Sequence, residues 1–443
     1  MQSYREYFSG KRVTLMGLGL LGRGVGDAKF LAPLCAELIV TDLKSEAELA
    51  DSLSQLKDFK NITFHLGAHK LDDFQNRDLI IKAAGVPLDS PFVAEAKKNN
   101  IPVRMSADLF MELSGVLTVG ITGTRGKSTV THMVAHILKQ AGKHVLLGGN
   151  VRGVSTLALL PEAKPDSVAV LELDSWQCQG LAEGKLGPHV AVFTTFMADH
   201  MNYYHDDMAA YFADKANIFL YQKSDDILIL GEQVVPLIKQ YGYQDKVIAH
   251  AQIAGAKDIP ADWQLKIPGE HNRYNAGIAV AVARGLDIDD DITKEAIESF
   301  EGLPGRLQFI REVNGTKIYN DNNATTLDAT IAAIHSVKQP VALIVGGVNK
   351  LKGFDLGPLA QEINTKVSRV VLLTGENTTG SDALEPLIKV DYIKVGNLAQ
   401  AVAEALSGSP ATVLFSPAFA SFGMFKNEYD RNDQFLEAVQ KAA

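Results

Sequence analysis

Residues 120–129 read Gly-Ile-Thr-Gly-Thr-Arg-Gly-Lys-Ser-Thr. They follow the apolar run Val116 to Val119 and lead into a helical pattern from Val130 to Gln140, the strand–loop–helix setting of a phosphate loop. The closing Gly-Lys-Ser fits that motif. Its strict form would put the first glycine at Ile121, so this is a variant with Gly123 inside the loop. A chance glycine turn is the plain alternative. Backbone amides of Gly123, Thr124, Gly126 and Thr129 would cradle phosphates, Lys127 would reach the β- and γ-phosphates, and Ser128 would hold magnesium.

Outward from this loop, short β-branched runs alternate with stretches of helical period, the pattern of parallel α/β sheets. It occurs three times. The first block runs from Lys11 to Gly17, through Leu38-Ile39-Val40 ending at Asp42, to Leu79-Ile80-Ile81 and the turn Ala84-Gly85-Val86-Pro87, with a boundary near Arg104. The second holds the phosphate loop and strands at Val168 to Leu173 and Val190 to Thr194, and closes near Leu303-Pro304-Gly305-Arg306. The third has strands at Val341 to Val345, Val370 to Leu373, Tyr392 to Val395 and Thr412 to Phe415.

Length and composition agree with three such blocks. A chain of 443 residues, 46% hydrophobic and 21% charged, is an ordinary globular protein of two to four domains, and disordered or fibrous classes are excluded. Forty-three Lys+Arg against fifty-two Asp+Glu leave a net charge of −9, which gives no footprint for nucleic acid or an anionic membrane. Cys35 and Cys178 stand far apart without C-x-x-C spacing, so a reducing cytoplasm fits better than a disulfide framework. No apolar stretch approaches the ~20 residues of a membrane helix.

Gly17-Leu18-Gly19-Leu20-Leu21-Gly22 follows the first strand, with Asp42 closing the next. By pattern this is a dinucleotide fingerprint, although any diphosphate needs the same close backbone approach, and a merely tight turn is the bland reading. Glu172 near a strand end could meet the magnesium of the phosphate loop. Asp199-His200 follows another strand. Tyr211, Lys215 and Ile218 share a helical face, and spacing alone makes Lys215 solvated. His271 and Asn272 could simply cap a helix. The loops Asn320 to Thr326 and Ser416 to Ser421 are polar and by themselves weak signals.

Taken in order, Thr122-Gly123-Thr124-x-Gly126-Lys127-Ser128-Thr129, Glu172, Asp199-His200-Met201, Tyr211-x-x-x-Lys215, Gly269-Glu270-His271-Asn272, Leu303-Pro304-Gly305-Arg306 and Ser416-Pro417-Ala418 resemble the Mur ligase family. The amino-terminal glycines and the segment Ser421 to Asn427 are most similar to its D-glutamate-adding branch. The resemblance implies an α/β fold of three domains: 1–104 Rossmann-like for a UDP-sugar, 105–307 a P-loop mononucleotide-binding ATPase, and 308–443 Rossmann-like for an amino acid. It implies an ATP-dependent ligase adding D-glutamate to UDP-N-acetylmuramoyl-L-alanine through an acyl phosphate, in cytoplasmic peptidoglycan precursor synthesis, as a monomer.

The same resemblance assigns roles. Gly19, Leu20, Leu21, Asp42, Gly85 and Asn150 would take the UDP-substrate, and Thr325, Lys350, Ser421 and Phe422 the amino acid. Lys215 would be carbamylated by carbon dioxide and, with His200, would hold one Mg2+, while Ser128 and Glu172 would hold the other. Asn272 would meet adenine, Arg306 the phosphates and Asp321 the ribose. With Lys127, the residues Glu172, His200 and Lys215 form the catalytic set.

Some positions depart from the family pattern. Asn323 stands where lysine is expected and Glu428 where an aromatic is, which makes the acceptor pocket less cationic; Glu428 could face solvent or pair with Arg431. Asp174, Trp176, Arg125, Arg152 and Gly305 also differ. Two rival readings follow: a ligase of this family with another acceptor or carboxylate donor, and a regulatory ATPase that makes no amide.

Overall fold

The computed structural model describes residues 3–247, 251–349, 355–421 and 423–442. Lys350 and Phe422 lie outside the described residues. Three sheets carry the chain, one for each α/β block expected above. The first holds β1 (Arg12–Met16), β2 (Glu37–Asp42), β3 (Ile62–Leu66), β4 (Leu79–Lys82) and β5 (Val103–Arg104). Its strands are parallel in the order β3-β2-β1-β4-β5.

The second contains β6 (Leu117–Thr122), β7 (His144–Gly149), β8 (Ser167–Glu172), β9 (Val190–Phe193), β10 (Ile227–Gly231) and β11 (Gln252–Ala254). These too are parallel, ordered β11-β10-β9-β6-β8-β7. The run Val168-Ala169-Val170-Leu171 is buried throughout, as a central parallel strand covered on both faces must be. Because β6 pairs with both β8 and β9, the loops after these three strands open on one carboxyl edge, where α/β sheets bind ligands.

The third sheet holds β12 (Gln308–Val313), β13 (Thr316–Asn320), β14 (Val341–Val345), β15 (Val367–Leu373), β16 (Asp391–Val395) and β17 (Thr412–Phe415). Its order is β12-β13-β17-β14-β15-β16, parallel except for the antiparallel pair β12/β13. That hairpin turns on Asn314-Gly315, both at positive φ (49° and 83°), the two-residue turn that matches strand twist. Apolar clusters cover each face of this sheet, around Leu343 and Leu414 on one side and Ile344 and Phe415 on the other.

The chain forms two compact units, residues 1–261 with 274–296 and residues 262–273 with 297–443. The first two sheets lie in the former and the third in the latter. Among the described residues no helix is long and apolar enough to cross a membrane.

Candidate active site

The loop after β6 is built for anions. Gly123 has φ +146°, and a Cβ there would fall 2.0 Å from Thr194 Oγ1, so only glycine fits. Hydroxyls from the loop after β9 brace it: Thr194 Oγ1 donates to the Arg125 carbonyl (2.6 Å), and Thr195 Oγ1 accepts from the Arg125 amide (2.9 Å). The following helix, Lys127–Gln140, has Gly126 at its N-cap and no side-chain cap, and a helix amino-terminus of this kind is a general anion site. Lys127 Nζ lies over its own loop, donating to the carbonyls of Gly123 (3.0 Å) and Thr124 (3.2 Å).

Lys215 is not on a solvated face. The helix Met208–Leu220 turns Tyr211, Lys215 and Ile218 inward, each 1% exposed or less. Periodicity fixes which residues share a face but not which face is covered. Lys215 Nζ donates to the Gly123 carbonyl at 2.9 Å and sits 4.9 Å from the centre of the Tyr211 ring. Burial, with Lys127 as a second cation, pushes its pKa down to about 7. An amine so placed has a substantial neutral fraction near pH 7, the form that can attack carbon dioxide.

Glu172 closes β8 and is 4% exposed. Among the described residues its carboxylate has one hydrogen bond, from Asn150 Nδ2 at 3.4 Å, and no cationic partner. A buried carboxylate so poorly compensated fits a bound cation. Among the described residues no group of three His, Cys, Asp or Glu stands ready to hold a metal. His200 takes a left-handed φ of 55° and packs against Trp176, ring centres 4.8 Å apart. Burial lowers its pKa, which favours the neutral, metal-binding imidazole. Its neighbour Asp199 pairs with Arg125 at 3.0 Å.

At the first sheet Gly17 has φ +99°, and a Cβ there would meet Ala83 Cβ at 2.7 Å. The loops after β1 and β4 therefore touch where the strand order reverses, which is where such sheets take nucleotides. Asp42, 6% exposed, accepts the Gly19 amide (2.9 Å) and the Lys44 amide (2.9 Å), so it shapes the glycine loop it faces. Leu20 and Leu21 are exposed. Gly85 lies in an open turn, where a Cβ would meet nothing within 4 Å.

In the second compact unit, Asn272 Nδ2 donates to Pro268 O at 2.7 Å. It fastens the approach to its helix instead of accepting amides as a cap would. Asp321 is buried between Ser416 Oγ (2.9 Å) and the Leu307 amide (3.0 Å), and burial raises its pKa to about 7. Arg306 is exposed and lowers that rise by its charge. Thr325 is half-buried and Ser421 buried. Asn323 is exposed, its amide bonded to the Gly305 carbonyl at 2.9 Å.

Arg431 is the residue that sequence reasoning undervalues. It is fully buried, yet makes no ion pair with Glu428; its guanidinium donates to Asn322 Oδ1 (2.8 Å), Asn322 O (2.8 Å) and Phe419 O (3.0 Å). One side chain thus ties the loop after β13 to the loop after β17. The acceptors lie 109 and 12 residues away in sequence, so no local pattern announces them.

Comparison with known proteins follows the same division. Residues 11–105 match the MurD-like Mur ligase N-terminal domain, 121–246 the Mur ligase middle domain, and 305–419 the Mur ligase glutamate ligase domain. A UDP-N-acetylmuramoylalanine--D-glutamate ligase of Roseiflexus sp. (strain RS-1) is 32% identical, covering 98% of this chain and 99% of that protein. One of the same name from Borreliella burgdorferi (strain ZS7) is also 32% identical, covering 96% of each. Among solved structures, the UDP-N-acetylmuramate-alanine ligase MurC of Thermotoga maritima superposes with a TM-score of 0.62 at 18% identity, covering 98% of this chain and 100% of that one. The MurF ligase of Thermotoga maritima in complex with ADP gives 0.59 at 17% identity, covering 91% and 94%. At such identities these two likenesses concern the fold.

Proposed function

The chain belongs to the Mur ligase family, and on that premise we propose that it is an ATP-dependent ligase joining D-glutamate to UDP-N-acetylmuramoyl-L-alanine in the cytoplasmic synthesis of peptidoglycan precursors. Its domains would be 1–104, 105–307 and 308–443, a division supported by the three sheets.

A carboxylate is a poor electrophile, so amide formation needs activation. The alanyl carboxylate attacks the γ-phosphorus of ATP and ADP leaves, giving an acyl phosphate. The amine of the acceptor then attacks the acyl carbon, the tetrahedral intermediate expels phosphate, and the amine proton is lost. Gly123, Thr124, Gly126, Ser128 and Thr129 hold the phosphates, and Lys127 offsets the repulsion between two anions. Magnesium, held by Ser128 with Glu172 and by His200 with the carbamate of Lys215, would supply further charge neutralisation. Asn272 contacts adenine, Arg306 the phosphates and Asp321 the ribose. Gly19, Leu20, Leu21, Asp42, Gly85 and Asn150 take the UDP-substrate, and Thr325, Lys350, Ser421 and Phe422 the amino acid.

The observation that carries the reading is the buried Lys215 set on the phosphate loop. A regulatory ATPase needs Lys127 but has no use for a second, buried lysine there. Incubation with UDP-N-acetylmuramoyl-L-alanine, ATP, magnesium and a mixture of amino acids, read by mass, should give the D-glutamyl product. ATP hydrolysis without any amide product would reject the ligase.

A further inference from the structure

We propose that Arg23 is a further donor-binding residue, its guanidinium taking the diphosphate of the nucleotide-sugar while, through Asn150, it fixes the setting of Glu172. This rests on the donor reading above. Arg23 opens the helix Arg23–Leu31 directly after Gly22, the last glycine of the amino-terminal motif. Its Nη1 donates to Asn150 Oδ1 at 2.6 Å, and Asn150 in turn donates to Glu172, from Nδ2 to Oε1 (3.4 Å) and from its backbone to the Glu172 carbonyl (2.7 Å). An unbroken chain of hydrogen bonds therefore runs from the glycine loop to the carboxylate beside the phosphate loop.

Arg23 is out of place unless an anion joins it. A cation in the first turn of a helix opposes the positive end of the helix dipole. Among the described residues Arg23 makes this one side-chain hydrogen bond and no ion pair. Asp27, one turn on, feels the charge of Arg23 but makes no ion pair with it, and both of its side-chain hydrogen bonds, from Ser155 Oγ (2.6 Å) and Ser106 Oγ (2.8 Å), fall on Oδ1. Gly22 offers no side-chain cap, and Leu20 and Leu21 bring no hydroxyl. A diphosphate would meet the open N–H groups of the helix and the four guanidinium donors left over from Asn150.

The link to Glu172 follows from amide geometry. With Oδ1 held by Arg23, Asn150 must present Nδ2 to the carboxylate. Without Arg23 the amide is free to flip and set oxygen against oxygen.

The test uses the full chain with Arg23→Met and Arg23→Lys. Calorimetry with UDP and with uridine separates the diphosphate from the base: Arg23→Met should weaken UDP at least tenfold and leave uridine unchanged, and Arg23→Lys should recover part of the loss. In turnover, Arg23→Met should raise KM for UDP-N-acetylmuramoyl-L-alanine at least tenfold, lower kcat a few-fold through Glu172, and leave KM for ATP within twofold, which a misfolded variant would not do. Wild-type affinity for UDP in Arg23→Met overturns the assignment alone. Failure of the wild type to bind UDP overturns the donor reading, and this assignment with it.

Discussion

Lys215 and Lys127 converge on one acceptor, the carbonyl oxygen of Gly123, at 2.9 and 3.0 Å. Two ammonium groups drawn to one oxygen repel each other, and the buried one yields its proton more readily. Carbon dioxide would resolve the conflict: a neutral amine that adds to it and loses a proton becomes a carbamate, which would turn repulsion from Lys127 into attraction. The prediction is that Lys215 is carbamylated. Carbon-13 bicarbonate should give a carbamate resonance that Lys215→Ala lacks, growing as pH rises through about 7. Lys215→Ala should be inactive and partly restored by small carboxylates. A bare amine in magnesium-loaded, active protein would reject the idea.

Lys127→Ala should abolish ATP-dependent product formation while leaving the fold intact. One cation beside a transferring phosphoryl group contributes several kcal/mol to the transition state. Turnover above about a tenth of wild type, a loss under ~1.4 kcal/mol, would remove Lys127 from the phosphate site.

What can be read from the sequence follows how local its cause is. The phosphate loop is legible because its glycines and lysine answer to backbone geometry within ten residues. So are the central strands β8, β14 and β17, whose apolar runs are buried on both faces. The edge strand β3 reads Ile-Thr-Phe-His-Leu, an alternation of apolar and polar residues that differs from the continuous buried runs of the central strands, and β5 is only two residues long. The hairpin β12/β13 carries a signal in Asn314-Gly315 that the search for parallel α/β units does not look for. Lys215 and Arg431 are hard to place for one shared reason: partners distant in sequence decide whether a charge is buried.

Asp27 should leave a pH signature on stability. It is buried, accepts from two serine hydroxyls, and has its pKa raised by burial from 3.8 to about 6. The folded state keeps this proton where the unfolded state has lost it, so the contribution is complete below about pH 3.8 and is lost as pH rises through about 6. Relative to Asp27→Asn, which cannot titrate, the wild type should lose about 2–3 kcal/mol between pH 4 and pH 7. Urea unfolding of both proteins across that range measures it. A difference that does not change with pH would show that Asp27 stays ionised throughout.

The acceptor site gives the remaining prediction, for there the family pattern and local charge diverge. Asn323 replaces the expected lysine, is exposed, and makes two long side-chain hydrogen bonds, to the Pro304 carbonyl and from Asn322 Nδ2, both at 3.3 Å; Asn322 keeps its shorter bonds to the Glu428 carbonyl (2.9 Å) and from Arg431 (2.8 Å) when a longer side chain replaces Asn323. Glu428 opens the helix Glu428–Lys441, where an acid is favoured by the helix dipole, and Arg431 is committed to the two loops instead of to Glu428. Neither carboxylate of D-glutamate therefore has Arg431 to rely on. Asn323→Lys should lower KM for D-glutamate several-fold, about 1 kcal/mol, with kcat little changed and no gain for neutral amino acids. Glu428→Phe should act the same way more weakly and cost about 0.3–1 kcal/mol of stability by removing an acid from the first turn. A competition panel read by mass decides the issue: ligation of a neutral or basic amino acid in preference to D-glutamate would mean that these two positions have redefined the acceptor.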